Sequence, residues 1–232
     1  MGKLKTCRCC GLVIPTILIK DRLCVLCNYQ LNWLQEKHQE SLENFSSWWK
    51  DREKYIIIDT ETTGLNEDDE IIEISILSLT GETLLDTLVK PKKEIPQFIT
   101  KLTGITNEMV SKAPVFSDVL DDINRILKGK ILLTFNAKFD IRMIDQSLKN
   151  YGLSFNYDID SVKCVMLEYA QYFGEYRKIE QDFKRKSLKK AIETEGINLK
   201  QNHRSLGDCE LVLELIKSIA TKNLVLQEVA NG

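Results

Sequence analysis

Tyr55-Ile56-Ile57-Ile58-Asp59-Thr60-Glu61-Thr62-Thr63-Gly64 is the stretch that decides the fold of this chain. A run of apolar, largely β-branched residues reads as a buried strand. Residues i and i+2 of a strand share one face, so Asp59 and Glu61 point the same way at the strand's end. Two acids are too costly to bury without partners. The natural partner of two co-directed carboxylates is a divalent cation.

Outward from this strand, the region from about Lys54 onward alternates extended and helical patterns. Glu70 to Leu79 reads as a second strand, turned by Thr80-Gly81-Glu82 into a third over Thr83 to Val89. Pro91 and Pro96 mark a loop, and Val115 to Leu127 is helical with Ser117 as a candidate cap. Ile131 to Phe135 is the expected fourth strand, followed by a helix from about Phe139 to Tyr151, and Phe155 to Ile159 is the expected fifth. Helices follow over about Val162–Phe173, Ser187–Thr194 (stopped by Gly196) and Ser205–Ala220. A hairpin followed by strand–helix alternation predicts an α/β domain with a mixed five-stranded sheet flanked by helices.

Two later segments carry further chemistry: Asn136-Ala137-Lys138-Phe139-Asp140 and His203-Arg204-Ser205-Leu206-Gly207-Asp208. Asp208 follows Ser205 by three, a capping-box-like helix start. His203 then lies in the preceding loop, where a histidine beside a carboxylate cluster is placed to act as general base. The other histidine, His38, falls on a helical stripe and reads as packed. Four acids and one histidine suit two-metal phosphodiester hydrolysis, in which hard oxygen ligands hold Mg²⁺ or Mn²⁺.

Asp59-Thr60-Glu61-Thr62-Thr63-Gly64, Asn136 to Asp140, and His203 with Asp208 resemble motifs I, II and III of the DEDDh 3′–5′ exonucleases, the group of the proofreading epsilon subunit of bacterial DNA polymerase III. Leu102-Thr103-Gly104-Ile105-Thr106, with Met109 and Pro114, is similar to the segment between their motifs I and II, and Ser187 to Ile197 to the helix before motif III. The resemblance covers about residues 54–222. It implies a ribonuclease H-like fold and 3′–5′ hydrolysis of single-stranded or frayed DNA, in replication or repair. By the same resemblance, Asp59 bridges two ions, Glu61 and Asp208 hold the ion of the nucleophilic water, Asp140 holds the second, and His203 takes the proton. Thr62, Thr63 and Leu65 are expected to meet the terminal nucleotide through backbone amides and an apolar wedge, with Asn136 and Phe139 in the same pocket. Two other readings stay open: a 3′–5′ exoribonuclease, and a non-catalytic nucleic-acid or protein adaptor.

The chain has 232 residues, 43% hydrophobic and 28% charged, with a net charge of −2, so attraction to a polyanion has to come from local patches. Lys184-Arg185-Lys186 with Lys189 and Lys190, just before motif III, is one such cluster and reads either as a solvated helix face or as a clamp on the strand. No apolar run is long enough to cross a bilayer. Pro15 and Lys20-Asp21-Arg22 break the apolar start expected of a secretory leader, and Met1-Gly2 fits only a loose myristoylation pattern.

Five of the seven cysteines lie in the first 27 positions. Cys7-x2-Cys10 and Cys24-x2-Cys27, thirteen residues apart, form a four-cysteine spacing for structural Zn²⁺ in a reducing compartment, the cytoplasm. Cys9 is an alternative to Cys7 or Cys10. Gly11 and Asn28 follow each pair and tolerate a left-handed turn. Cys164 and Cys209 read as small core residues. The expected organisation is a zinc-binding module over 1–28, an amphipathic linker helix over 29–53 with a stripe from Leu31 to Trp48, and the nuclease domain over 54–232. The stripe is expected to pack on that domain or to meet a partner such as a polymerase, and Trp48 and Trp49 to stack on bases in a third reading.

Overall fold

A computed structural model describes the chain except residues 1–3, 11–12, 16–17, 156, 200 and 232, and the side chains of residues 4, 14, 15, 19, 159 and 225–231. The chain begins with two antiparallel hairpins, β1 (Leu4–Thr6) with β2 (Val13–Pro15) and β3 (Ile19–Lys20) with β4 (Leu23–Cys24). Helix α1 (Val25–Lys50) follows at once. Next come β5 (Tyr55–Thr62), β6 (Ile71–Ser78), β7 (Thr83–Leu88), α2 (Gln97–Thr103), α3 (Asn107–Val110) and α4 (Phe116–Leu127). The rest comprises β8 (Ile131–Thr134), α5 (Ala137–Lys149), β9 (Val162–Cys164), α6 (Val165–Phe173), β10 (Tyr176–Arg177), β11 (Asp182–Phe183), α7 (Leu188–Glu195) and α8 (Ser205–Asn231).

The central sheet has five strands in the order β7-β6-β5-β8-β9, antiparallel on the hairpin side and parallel from β5 through β9. Strand parity divides the core. Ile56, Ile58, Ile74, Ile76 and Leu132 pack under α4 and α5, whereas Ile57, Leu77 and Leu133 pack under α1, α6, α7 and α8. The mixed five-stranded sheet flanked by helices is as the sequence predicts.

The fifth strand is not where the pattern places it. The described residues of 155–159 form no strand, and Val162–Cys164, read as a helix start, pairs with β8 instead. The alternation of Phe155 and Tyr157 reflects side-chain packing: the two rings stack at 5.6 Å against the α4–α5 core. Asp158 then accepts from the Asp160 amide and the Ser161 hydroxyl, a local turn that competes with a ladder. Ser117 is not a cap, since Val115 holds that position without a side-chain bond. The segment read as a loop also contains α2, ended by left-handed Gly104, and α3, capped by Thr106.

Helix α1 begins at Val25 rather than 29, inside the second cysteine pair, so Asn28 is helical and makes no left-handed turn. The module's left-handed residues are Asp21 and Arg22, between β3 and β4; Gly11 lies outside the described residues. From His38 onward the stripe of α1 packs on the sheet domain, whereas Leu31 at its start is exposed. Phe45 and Trp48 are buried in the core, and His38 Nδ1 lies 2.6 Å from the Tyr172 carbonyl. Trp48 is therefore closed to base stacking, while half-buried Trp49 carries the Arg52 guanidinium. Among the described residues no helix is long and apolar enough to cross a membrane.

Candidate active site

Along β5 the burial alternates at its end: Asp59 and Glu61 are half-buried while Thr60 and Thr62 are buried. The two acids thus share the sheet face covered by α8, and Thr60 points to the α5 side. There its hydroxyl donates to Asp140 (2.8 Å), in the first turn of α5, and Thr134 donates to the other Asp140 oxygen. Asp208 sits in the first turn of α8. One ligand atom each from Glu61, His203 and Asp208 lie within 4.8 Å of one another. Asp59 and Asp140 fall outside that tight trio; Asp59 feels the charge of Glu61 and Asp208, and Asp140 acts on Glu61.

The electrostatics of the cluster favour a cation. Burial, followed by the charges of Asp140, Asp208, Glu61 and Glu73, holds Asp59 well above the ordinary carboxylate range. Burial, with Asp208 and Glu73, pushes Glu61 up to about 8, against the pull of Arg204. Burial raises Asp140 to about 6 despite donation from Thr134 and Thr60. Asp208 is raised by burial and eased by Gln201 and His203. Its Oδ1 is buried without a hydrogen-bond partner among the described residues. Hard oxygens that repel one another, one of them orphaned, fit a dication of the Mg²⁺ or Mn²⁺ type.

The loop that carries His203 is held by a residue the sequence reading overlooked. Glu73 on β6 lies directly opposite Glu61 and is 2% exposed. Arg204 grips its carboxylate with two nitrogens, and the Ser205 amide donates to the same group (2.9 Å). Ser205 Oγ meets Ser75 Oγ at 2.6 Å. The capping box read from Ser205 and Asp208 therefore does not form; Glu73 caps α8 from the neighbouring strand, and Asp208 turns to Gln201 (2.7 Å) and the acid cluster. A charged residue interrupting the apolar run of β6 was the available signal. His203 itself adopts a left-handed backbone (φ 53°), and a Cβ on Gly207 would come within 2.4 Å of Asn202 Oδ1.

The expected substrate contacts divide into two groups. Leu65 is 74% exposed and projects from the loop after β5, as an apolar wedge requires. Asn136 is exposed at the start of α5, and Phe139 is half-buried beneath Arg142 (5.5 Å). Thr62 and Thr63 are buried, and their side chains brace the loop. The Thr62 hydroxyl donates to the Gly64 carbonyl, and Thr63 bonds Asp69 and the Glu70 amide. The Thr63 amide, expected to meet substrate, is already held by the Glu70 carbonyl (2.8 Å). Asp69 approaches so closely that a Cβ on Gly64 would lie 2.4 Å from it, which accounts for the glycine.

In the N-terminal segment, the sulfurs of Cys7, Cys10, Cys24 and Cys27 lie within 4.8 Å of one another, and Cys9 is exposed and not in the group. The Cys10 and Cys24 sulfurs are 3.8 Å apart, and tetrahedral coordination at about 2.3 Å separates sulfurs by ~3.8 Å. The Cys24 amide donates to Cys7 Sγ and the Cys27 amide to Cys24 Sγ. Amides of Cys10 and Cys24 hold the Cys7 thiol down at about 6, while sharing with Cys24 pushes Cys27 up. Cys209 is buried in α8 and Cys164 half-buried at the end of β9.

Fold and site together define a nuclease of ribonuclease H-like architecture with a DEDDh residue set. The chain belongs to the exonuclease family whose RNase T profile matches residues 56–216. It is 39% identical over 170 residues to an uncharacterized exonuclease, CP81, of Escherichia phage 186, covering 71% of this chain and 87% of that one. It is 33% identical over 191 residues to a PolC-type DNA polymerase III of Caldanaerobacter subterraneus subsp. tengcongensis, covering 75% of this chain but only 13% of the polymerase. Among solved structures it resembles Exonuclease X in complex with 5′ overhanging duplex DNA (TM-score 0.54, 24% identity, 72% and 92% covered). It also resembles the nuclease domain of 3′hExo, a DEDDh family member bound to rAMP (TM-score 0.55, 21% identity, 75% and 92% covered).

Proposed function

We propose that this exonuclease removes nucleotides from the 3′ end of single-stranded or frayed DNA, with a dication pair held by Asp59, Glu61, Asp140 and Asp208 and with His203 as general base. The observation that carries this reading is the compact Glu61–His203–Asp208 trio beside Asp59, with a buried Asp208 oxygen lacking a partner. When bound, such ions supply Lewis-acid activation of water and neutralise charge on the leaving oxygen. His203, within reach of the same space, takes the proton from water as its oxygen attacks phosphorus. The bond to the 3′ oxygen of the upstream nucleotide breaks, and a nucleoside 5′-monophosphate leaves. Leu65 and Phe139 bound the terminal nucleotide, and Asn136 lies beside them. The DNA polymerase relatives favour DNA as substrate and make a polymerase partner a reasonable extension.

In this reading Cys7, Cys10, Cys24 and Cys27 hold a structural Zn²⁺ in a module of residues 1–28. Helix α1 then couples that module to a nuclease domain beginning at about residue 54. Matched 3′-end-labelled DNA and RNA strands incubated with Mn²⁺ or Mg²⁺ test the substrate. Faster release from RNA transfers the activity to the exoribonuclease reading. No release from either leaves the protein a binding module.

A further inference from the structure

Lys184, Arg185, Lys186, Lys189 and Lys190 crowd the approach to α7, and the structure separates them sharply. Lys184 and Lys186 both pair with Glu175 (2.8 and 2.5 Å), holding that carboxyl down at about 2. Arg185 faces Asp182 and Lys190 faces Glu193, at 3.5 and 3.4 Å. Among the described residues, Lys189 has no acidic partner. Its side chain lines a cavity of about 400 Å³ together with Gln201, His203 and the apolar side chains of Ile192, Ile197 and Leu211. Glu193, also on the lining, is the acid answered by Lys190.

This cavity adjoins the acid cluster through two groups. His203 belongs to both, and the Gln201 amide donates to Asp208. Leu65, whose carbonyl accepts from Arg142, lies beside α5 on the side of β5 toward β8, and the His203 loop packs against β6 on the other. A strand whose last nucleotide lies against Leu65 and Phe139 therefore leaves past His203. The acids it passes repel its phosphates, and Arg204 beside them is bound to Glu73.

We propose that Lys189 binds a backbone phosphate of the substrate strand on the 5′ side of the scissile bond, with the adjoining sugar and base against the Ile192–Ile197 wall. The proposal rests on the nucleolytic reading of the site, because that reading sets the direction of the strand. Lysine suits this role, because its compact charge rides on a long stem that follows a mobile phosphate.

The test is anisotropy of a short 5′-labelled single-stranded oligonucleotide with the 232-residue chain in Ca²⁺, for wild type, Lys189→Ala, Lys189→Arg and Lys190→Ala. Loss of one phosphate contact lowers the salt slope by about 0.7 between about 50 and 200 mM salt and weakens binding about fivefold, uniformly across sequences. Lys189→Arg restores both values, and Lys190→Ala matches wild type. Equal affinity and slope for Lys189→Ala and Lys190→Ala overturn the proposal and leave Lys189 a solvated surface charge. Nucleotide release in Mn²⁺, measured in parallel, separates the two readings. A wild type that cuts nothing while Lys189→Ala still binds more weakly sinks the enzymatic reading alone.

Discussion

Among the described residues two clusters fit metal, and they are assembled in opposite ways. The thiol cluster lies within one stretch from Cys7 to Cys27, and among the described residues the buried hydrophobic cluster around it is Cys7, Cys24 and Cys27 themselves, with Leu23 packed alongside. The acid cluster gathers residues from β5, α5 and α8, set in place by a sheet with a continuous core on each face. With Zn²⁺ held there as proposed, binding free energy is folding free energy for the first cluster. The second is carried by that core and bears the repulsion of like charges.

Substituting the acids sharpens this contrast most. Asp59→Asn should abolish nucleotide release, because a lost metal ligand at about 4 kcal/mol of transition-state stabilisation is roughly a thousandfold in rate. The same change should raise the melting temperature in EDTA, since it removes the carboxylate on which Asp140, Asp208, Glu61 and Glu73 all act unfavourably. A variant that is both inactive and less stable would show that Asp59 is a structural acid. His203→Ala should lower kcat by about a hundredfold or more, the range for a general base, with melting unchanged in EDTA. Retention of full kcat would remove His203 from the mechanism.

The thiol cluster should answer differently. Cys24→Ser should lose bound zinc by elemental analysis and lose amide protection over residues 4–10 and 18–27. The sheet should keep its protection, because α1 is anchored independently by Phe45 and Trp48. A global loss of protection would make the module an integral part of the nuclease core.

How much of this was legible beforehand follows the same division. The cysteine spacing and the Asp59–Glu61 pair are local signals, and strand parity alone placed both acids on one face. What the sequence could not show depends on partners far along the chain. Glu73 reads as an odd charge in an apolar strand until Arg204, 131 positions later, grips it, and the capping box from Ser205 and Asp208 was plausible only without that contact. The fifth strand was misplaced because Phe155 and Tyr157 alternate like a strand while packing as rings, and the short β9 looks like the first turn of α6. The basic cluster looked uniform until Glu175, Asp182 and Glu193 found their partners.

The Glu73–Arg204 clamp gives a moderate effect. Arg204→Lys keeps the charge but loses the two-nitrogen grip. A loss of about 1 kcal/mol corresponds to about 3 °C in melting for a chain of this size. Because the clamp sits beside His203, kcat should fall with it, by about fivefold. An unshifted melting temperature would mean that the Ser205 amide and Ser75 hold the loop without the arginine.

The smallest effect is a drift with pH, and its sign discriminates between the clusters. Glu61 is raised to about 8 and Asp59 is held well above its ordinary range in the folded protein, whereas both titrate near 4 once unfolded. Between those limits the folded state holds more protons than the unfolded one, so stability falls as pH rises. Melting in EDTA should therefore decline gradually from pH 5 toward pH 8, a trend opposite to that of a protein built on paired carboxylates. Asp59→Asn should flatten the decline. Saturating Mn²⁺ should cancel it, since a dication favours the ionised acids that burial and mutual repulsion disfavour. If the decline persisted unchanged in Mn²⁺, the repulsion among these carboxylates would not be what an ion relieves, and the acid cluster would lose its claim to be a metal site.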